Sequence, residues 1–431
     1  MTEFLKNFDY KKNIYLLYLI YTICISVLSL IFAFLLVEKN YYFIDTNFNI
    51  ILDQIPFNWG PLANNINENF NFYSLVFEKK YYLKKFPLNA ILIVIIFNIS
   101  KNIFIFLLIK NILTSSIIFL SIYFFSKSKK INFLNFLLLL SAFLLVPYNT
   151  SVIFNFVYAD HLTSFLIPLI FIFLISNLSN KYLFIGLTIF VLYFTKPSVF
   201  FICLIIPLII LILEGNKKAK YIPVIFAFFA VIIWGTYGYY KTNVFPFGAK
   251  LLSNNSYDFS AITHENFKEV YPDKSVDELV QNLDINQFPE YKQFDNEWDF
   301  YSYFNIKNQN YLKNNFKDYL KTIPLKIKFI LFRLNKDNLD RHHFEKKGTD
   351  LRYSNIINKF FLNLAIIVCI YNIVKNYKKI LHQKTEIYFL SILLLNLLPH
   401  LYAWATNKHL VGIFILSNLY IVNKLIIQNK I

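Results

Sequence analysis

The feature that most limits what this chain can fold into is the recurrence of long apolar runs. A helix rises 1.5 Å per residue, so about 20 apolar residues cross a hydrocarbon layer of about 30 Å. Runs near that length fall at Ile14–Leu36, Ile103–Phe125, Ile131–Val146, His161–Leu178, Tyr182–Phe194, Pro197–Leu213, Tyr221–Tyr240, Ile357–Val374, Ile387–Trp404 and His409–Ile426. Inside hydrocarbon every backbone N–H and C=O must pair within the chain, which leaves the helix as the form for such runs. The expected fold class is therefore an all-α integral membrane protein with about ten transmembrane helices. Composition agrees: 56% of the residues are hydrophobic and 19% aromatic, above soluble usage. No small-residue cleavage pattern follows the first run, so it is read as a retained span.

The segments between the runs set the sidedness. Lys127, Lys129 and Lys130, then Lys181, then Lys217, Lys218 and Lys220, then Lys375, Lys378, Lys379 and Lys384 fall in alternate turns. The intervening short turns carry only Lys196 and Lys408, and the turn expected at Pro147–Ala159 carries none. Cytoplasmic loops concentrate lysine, so the rule places both termini inside. Leu88–Ile99, preceded by Pro87, is too short to span and reads as a short interfacial helix. Counting it as a span would invert the lysine bias. The organisation is then an N-terminal transmembrane module over 1–240 with a first outer loop over 37–87. A large extracytoplasmic loop over 241–356 carries amphipathic helices, and C-terminal transmembrane helices occupy 357–431. In the large loop, Ser275–Glu278 has a capping-box pattern, and Leu312, Phe316, Tyr319 and Leu320 share a helix face. Pro324 is expected to restart the chain as an interfacial segment through Arg333.

A net charge of +17 does not point to nucleic acid. Lysine dominates, Arg333, Arg341 and Arg352 are the only arginines, and Asn, Ile, Phe and Tyr are abundant, a pattern of coding bias. Cys24, Cys203 and Cys369 lie in apolar runs and neither staple loops nor space a metal cluster. No GxxxxGK[ST], GxGxxG or GxSxG pattern occurs, which argues against a nucleotide-driven pump and against hydrolase chemistry. With eight glycines in the chain, the paired helix breaks of many secondary transporters are missing. Among ionisable residues within the runs, Lys110 stands out.

The candidate working carboxylates are Asp45 and Asp53 in the first loop and Asp160 at the mouth of a run, followed by His161. Asp160 has two readings, an N-cap for the helix that follows or an ionisable group kept at membrane depth for a purpose. Lys84, Lys85 and Lys196 are cations near the expected membrane surface, able to meet a phosphate or to anchor at the interface. Arg333, Arg341, His342, His343 and Arg352 gather late in the large loop, and Lys408-His409 sits at the mouth of the last run.

The order of these parts resembles the GT-C class of polytopic glycosyltransferases, in particular bacterial relatives of protein mannosyltransferases and lipid A aminoarabinose transferases. The features carrying the resemblance are Asp45 early in the first loop and Tyr81-Tyr82-Leu83-Lys84-Lys85-Phe86-Pro87-Leu88 closing it. Asp160, Phe194-Thr195-Lys196-Pro197-Ser198 and the amphipathic stretch from Tyr311 through Pro324 to Lys328 complete the set. The resemblance implies inverting transfer of a sugar from a polyprenyl-phosphate carrier to a glycan, lipid or protein acceptor. It implies a multi-pass protein of the bacterial inner membrane with its site facing outward. It further implies Asp45 as base or as ligand of a divalent cation (Mg or Mn), and Asp160 as the second acidic position. By the same resemblance Lys84 and Lys196 fall where donor-contacting groups are expected, and Lys85, His161 and Arg333 are further candidate substrate contacts from the residues themselves. Thr46 stands where the family's tandem acid would be, which leaves base and metal roles open. Two rival readings are a polymerase or ligase of lipid-linked repeats and a flippase without chemistry.

Overall fold

The computed structural model describes residues 12–36, 62–63, 65–67, 71–76, 79–83, 86–99, 103–144, 146–155, 159–215, 217–247, 297–332, 352–402 and 407–428. Asp45, Asp53, Lys84, Lys85, Arg333, Arg341, His342, His343 and the capping box Ser275–Glu278 lie outside the described residues, and of Arg352 only the backbone is described.

The described chain is helical apart from one small hairpin. Its order is α1 Ile14–Leu36, β1 Ser74–Val76, β2 Lys79–Tyr81, α2 Pro87–Ile99, α3 Ile103–Lys129, α4 Phe133–Ser141, α5 Pro147–Asn155, α6 Ala159–Ile175 and α7 Lys181–Tyr193. There follow α8 Phe200–Leu213, α9 Ile222–Thr242, α10 Glu297–Leu331, α11 Arg352–Lys375, α12 Lys384–Tyr402 and α13 Val411–Gln428. Short 3-10 turns at Pro197–Val199, Lys218–Tyr221, Tyr377–His382 and Asn407–Leu410 link the later helices. In the hairpin β1 and β2 run antiparallel, with Ser74 opposite Tyr81. Among the described residues, three helices are long and apolar enough to cross a membrane by length and composition, Ile105–Lys129, Lys218–Thr242 and Ser354–Lys375.

The short connections force neighbours to alternate in direction. α6 packs on α7 and α13, α7 on α9, α8 on α12, and α11 on α13. The bundle thus has two ends, one holding Asp160 at the start of α6 and one holding Glu214 just past α8. Gly412 lets α13 come close to α6: a Cβ there would meet the Thr163 carbonyl at 3.0 Å.

Three expectations need correction. The run Ile131–Val146 is not one helix, and Pro147–Ala159 is not an open turn. The chain breaks after α4, and α5 begins on Pro147, which fits a first helical position and disfavours helix in the residue before it. Carbonyls freed at the break are taken up by side chains: Asn418 Nδ2 donates to Ala142 O at 3.3 Å and Thr150 Oγ1 to Leu144 O at 3.0 Å. Tyr148, Asn149, Val152 and Phe154 of α5 are buried, so packing overrides the polar look of this stretch. Nor does Pro324 restart the chain; it lies inside α10. That helix is 35 residues long, about 52 Å at 1.5 Å per residue, and it is held at both ends. Glu297 anchors its start, while Lys359 Nζ donates to Ile330 O and Asn363 Nδ2 donates to Leu331 O at 3.0 Å. These last two contacts satisfy carbonyls that a helix end would otherwise leave unpaired. The short helix expected after Pro87 is present as α2, 13 residues long.

Candidate functional site

At the Asp160 end, three separate segments converge on one carboxylate. Asp160 lies in the first turn of α6 and is buried. Its own carbonyl accepts Thr163 Oγ1 at 3.1 Å, and that of His161, also buried, accepts Ser164 Oγ at 2.6 Å. Lys196 stands in extended backbone between α7 and Pro197. Thr195 beside it is fully buried and donates to Leu192 O at 2.6 Å, which fixes the lysine's exit from α7. Lys196 Nζ donates to Asp160 Oδ1 at 2.6 Å. On the other side, His409 Nε2 lies 3.6 Å from Asp160 Oδ2, an ion pair when the ring is protonated. His400, near the end of α12, faces His409 with ring centroids 5.7 Å apart. Among the described residues no group of three His, Cys, Asp or Glu side chains is placed to hold a metal ion.

The end of the first polar segment docks onto this corner. The Leu88 N–H donates to the Phe194 carbonyl at 3.2 Å, two residues before Lys196. Phe86 stacks on Trp234 at 4.9 Å and meets Tyr193 edge-on at 6.0 Å. One step earlier, the backbone N–H groups of Tyr82 and Leu83 donate to the two carboxylate oxygens of Glu297, each at 3.0 Å. Charge-assisted bonds of this kind are roughly twice as strong as neutral ones, so the start of α10 is tied to the strand end. Tyr81 meets Tyr301 edge-on at 6.5 Å. Burial pushes the Tyr81 phenol up to about 12, and the nearby Glu297 and Asp299 charges add to the effect.

α10 reaches the same end of α12. Lys326 is buried, donates to Leu401 O at 2.9 Å and lies 5.3 Å from the Tyr319 ring centroid. Burial brings its amine down to about 7. An amine at the last carbonyls of a helix also meets the negative end of the helix dipole.

Of the residues singled out from sequence, the structure unites Asp160, Lys196 and His409, and places His161 on the same turn as Asp160. Sequence reasoning missed His400, although an imidazole in the last turn of an apolar run is an ionisable group at membrane depth, itself a signal. It also passed over Lys359, buried within α11 with its amine 5.3 Å from the Phe414 ring centroid.

At the opposite end a second buried carboxylate is surrounded. Glu214 accepts from Tyr388 Oη at 2.8 Å, Tyr182 Oη at 2.9 Å and Lys181 Nζ at 3.3 Å, and Lys384 Nζ lies at 3.6 Å. Burial alone would raise its pKa, but the Tyr388 hydrogen bond, Lys181, the Tyr182 hydrogen bond and Lys384 outweigh it, and the net shift is downward. Lys424 pairs with Glu386 nearby on α13 and α12. No protein-family model, characterised protein or solved structure matches the chain.

Proposed function

We propose that this chain is a polytopic membrane glycosyltransferase. It moves a sugar from a polyprenyl-phosphate donor to a glycan, lipid or protein acceptor, with inversion, at the Asp160 end of the bundle. In this reading about ten helices cross the bilayer, the Asp160 end faces outward and the Glu214 end faces the cytoplasm. The observation that carries the proposal is the meeting of Asp160 with Lys196 and His409 from three chain segments at one helix mouth.

In an inverting transfer the acceptor oxygen bonds to the anomeric carbon as the carbon–oxygen bond to phosphate breaks. The acceptor proton passes to a carboxylate, and the bonding electrons leave with the phosphate. The residues at this corner match those demands. Lys196 and His409 offer cations to the phosphate, whose charge grows as it departs. A phosphate that takes Lys196 from Asp160 releases the carboxylate oxygen to orient or deprotonate the incoming hydroxyl. Asp45 is the second proposed carboxylate, and Lys84 and Lys85 are further proposed phosphate contacts from the segment docked by Phe86 and Leu88.

The test has two parts. Single cysteines at Asn216 and Asn286 should differ towards an impermeant thiol reagent in intact cells, with only the second labelled; the reverse pattern would place the site on the wrong side. Purified protein in lipid should release polyprenyl phosphate from a radiolabelled polyprenyl-phosphate sugar, assayed over a panel of donors. Growth of lipid-linked repeats would instead identify a polymerase, and movement without turnover a flippase.

A further inference from the structure

The Glu214 end shows an unequal division of charge between inside and outside. The carboxylates described there, Glu214 and Glu386, are buried and engaged by Lys181, Lys384 and Lys424. By contrast Lys217, Lys218, Lys378 and Lys379 are exposed. A surface facing only water mixes both signs, because like charges side by side repel. Here acid is turned inward and lysine outward.

The same rim is apolar and aromatic as well as cationic. Tyr221 is 52% and Tyr377 64% exposed, with Lys220 and Lys378 amines 5.6 Å and 5.8 Å from their ring centroids. Ile212, near the end of α8, and Leu381, in the Tyr377–His382 turn, are 75% and 65% exposed. Lysine, tyrosine and aliphatic side chains at one level suit a membrane–water boundary.

We infer that this rim is a docking surface for acidic phospholipid. Lys217, Lys218, Lys378 and Lys379 hold headgroup phosphates, and the tyrosines and aliphatic residues lie at the depth of the upper acyl chains. An acidic peptide or free phosphate would match the charge but leave Ile212 and Leu381 in water. An anionic leaflet answers both at once. The inference rests on the proposed topology, which puts this end at the cytoplasmic leaflet.

The experiment compares phosphatidylglycerol with phosphatidylcholine. The protein is reconstituted in nanodiscs made with an equimolar mixture of the two lipids, and the lipids nearest the protein are quantified at low and high salt. A lysine beside an anionic leaflet is worth about 1 kcal/mol, or roughly fivefold, so strong enrichment of phosphatidylglycerol is expected, collapsing at high salt. Melting in detergent should rise more with phosphatidylglycerol than with phosphatidylcholine. The Lys217→Gln, Lys218→Gln, Lys378→Gln, Lys379→Gln variant should lose that difference and melt as wild type in phosphatidylcholine. No enrichment in the wild-type nanodiscs, an undiminished difference in the variant, or an equal rise with inorganic phosphate would overturn the inference. Thiol labelling at Asn216→Cys from outside intact cells would overturn the topology instead, independently of the lipid result.

Discussion

At each end of the bundle a buried carboxylate sits among cations, Asp160 at one and Glu214 at the other, and the two surroundings are built of different materials. Around Glu214 the partners are two tyrosine hydroxyls and two lysines carried at the starts and interiors of α7 and α12. Around Asp160 the partners are Lys196, in a connection between helices, and His409, in a 3-10 turn. Groups on packed helices are held by the core, whereas groups on connections can exchange partners at less cost. One partner of Asp160 is also an imidazole, which is a cation only when protonated. The contrast separates a clamp from the proposed site. Four partners surround the Glu214 carboxylate, while Asp160 Oδ1 is held by a lysine on a connection between helices.

The largest expected effect belongs to the proposed transfer chemistry rather than to either described carboxylate. Asp45→Asn should lower transfer about 100- to 10,000-fold, the usual range for positioned proton removal, while expression and melting stay normal. Asp53→Asn is the matched control and should do little.

Next comes the clamp. Glu214→Leu strands Lys181 and both tyrosine hydroxyls, and removing one member of a buried pair typically costs about 3 kcal/mol or more. Melting in detergent should fall markedly, while transfer per folded molecule survives. Loss of transfer with unchanged melting would reverse the roles of the two ends.

Packing beneath the site gives a smaller effect. A Cβ at Gly412 meets the Thr163 carbonyl at 3.0 Å and Ile167 at 3.3 Å. Gly412→Ala should push α13 from α6 at about 1–3 kcal/mol, displacing His409 three residues away. Melting and transfer should drop together.

The smallest effect is in pH. The folded pKa of Glu214 lies below its ordinary value, so its contribution is fully present above the ordinary carboxylate range. It is lost as pH falls through the folded value. Acid melting of wild type should therefore steepen relative to Glu214→Gln, and parallel curves would remove Glu214 from the account.

How far the sequence reveals these ends follows from their chemistry. Asp160 and Lys196 were legible because charge at the mouth of an apolar run conflicts with its surroundings. Glu214 was not, because Glu214-Gly215-Asn216-Lys217-Lys218 reads as an ordinary solvated turn. Its partner Tyr388 is 174 residues away, and no local period encodes such a contact. The same limit explains α5: Asn149 and Thr150 look like loop residues until Asn149 pairs with Asn358 of α11 at 2.9 Å. Apolar length marks many of the helices in the sequence, but it hides the break after Ser141 inside the run Ile131–Val146, and the continuity of α10 through Pro324 depends on Glu297, Lys359 and Asn363 holding its ends.

The most direct test of the central claim is a side-by-side measurement of polyprenyl-phosphate release by wild type, Asp160→Asn and Glu214→Gln, each normalised to folded protein. The account predicts a loss of about 100-fold or more for Asp160→Asn and a rate near wild type for Glu214→Gln. Wild-type release by Asp160→Asn, or equal losses in both variants, would contradict it.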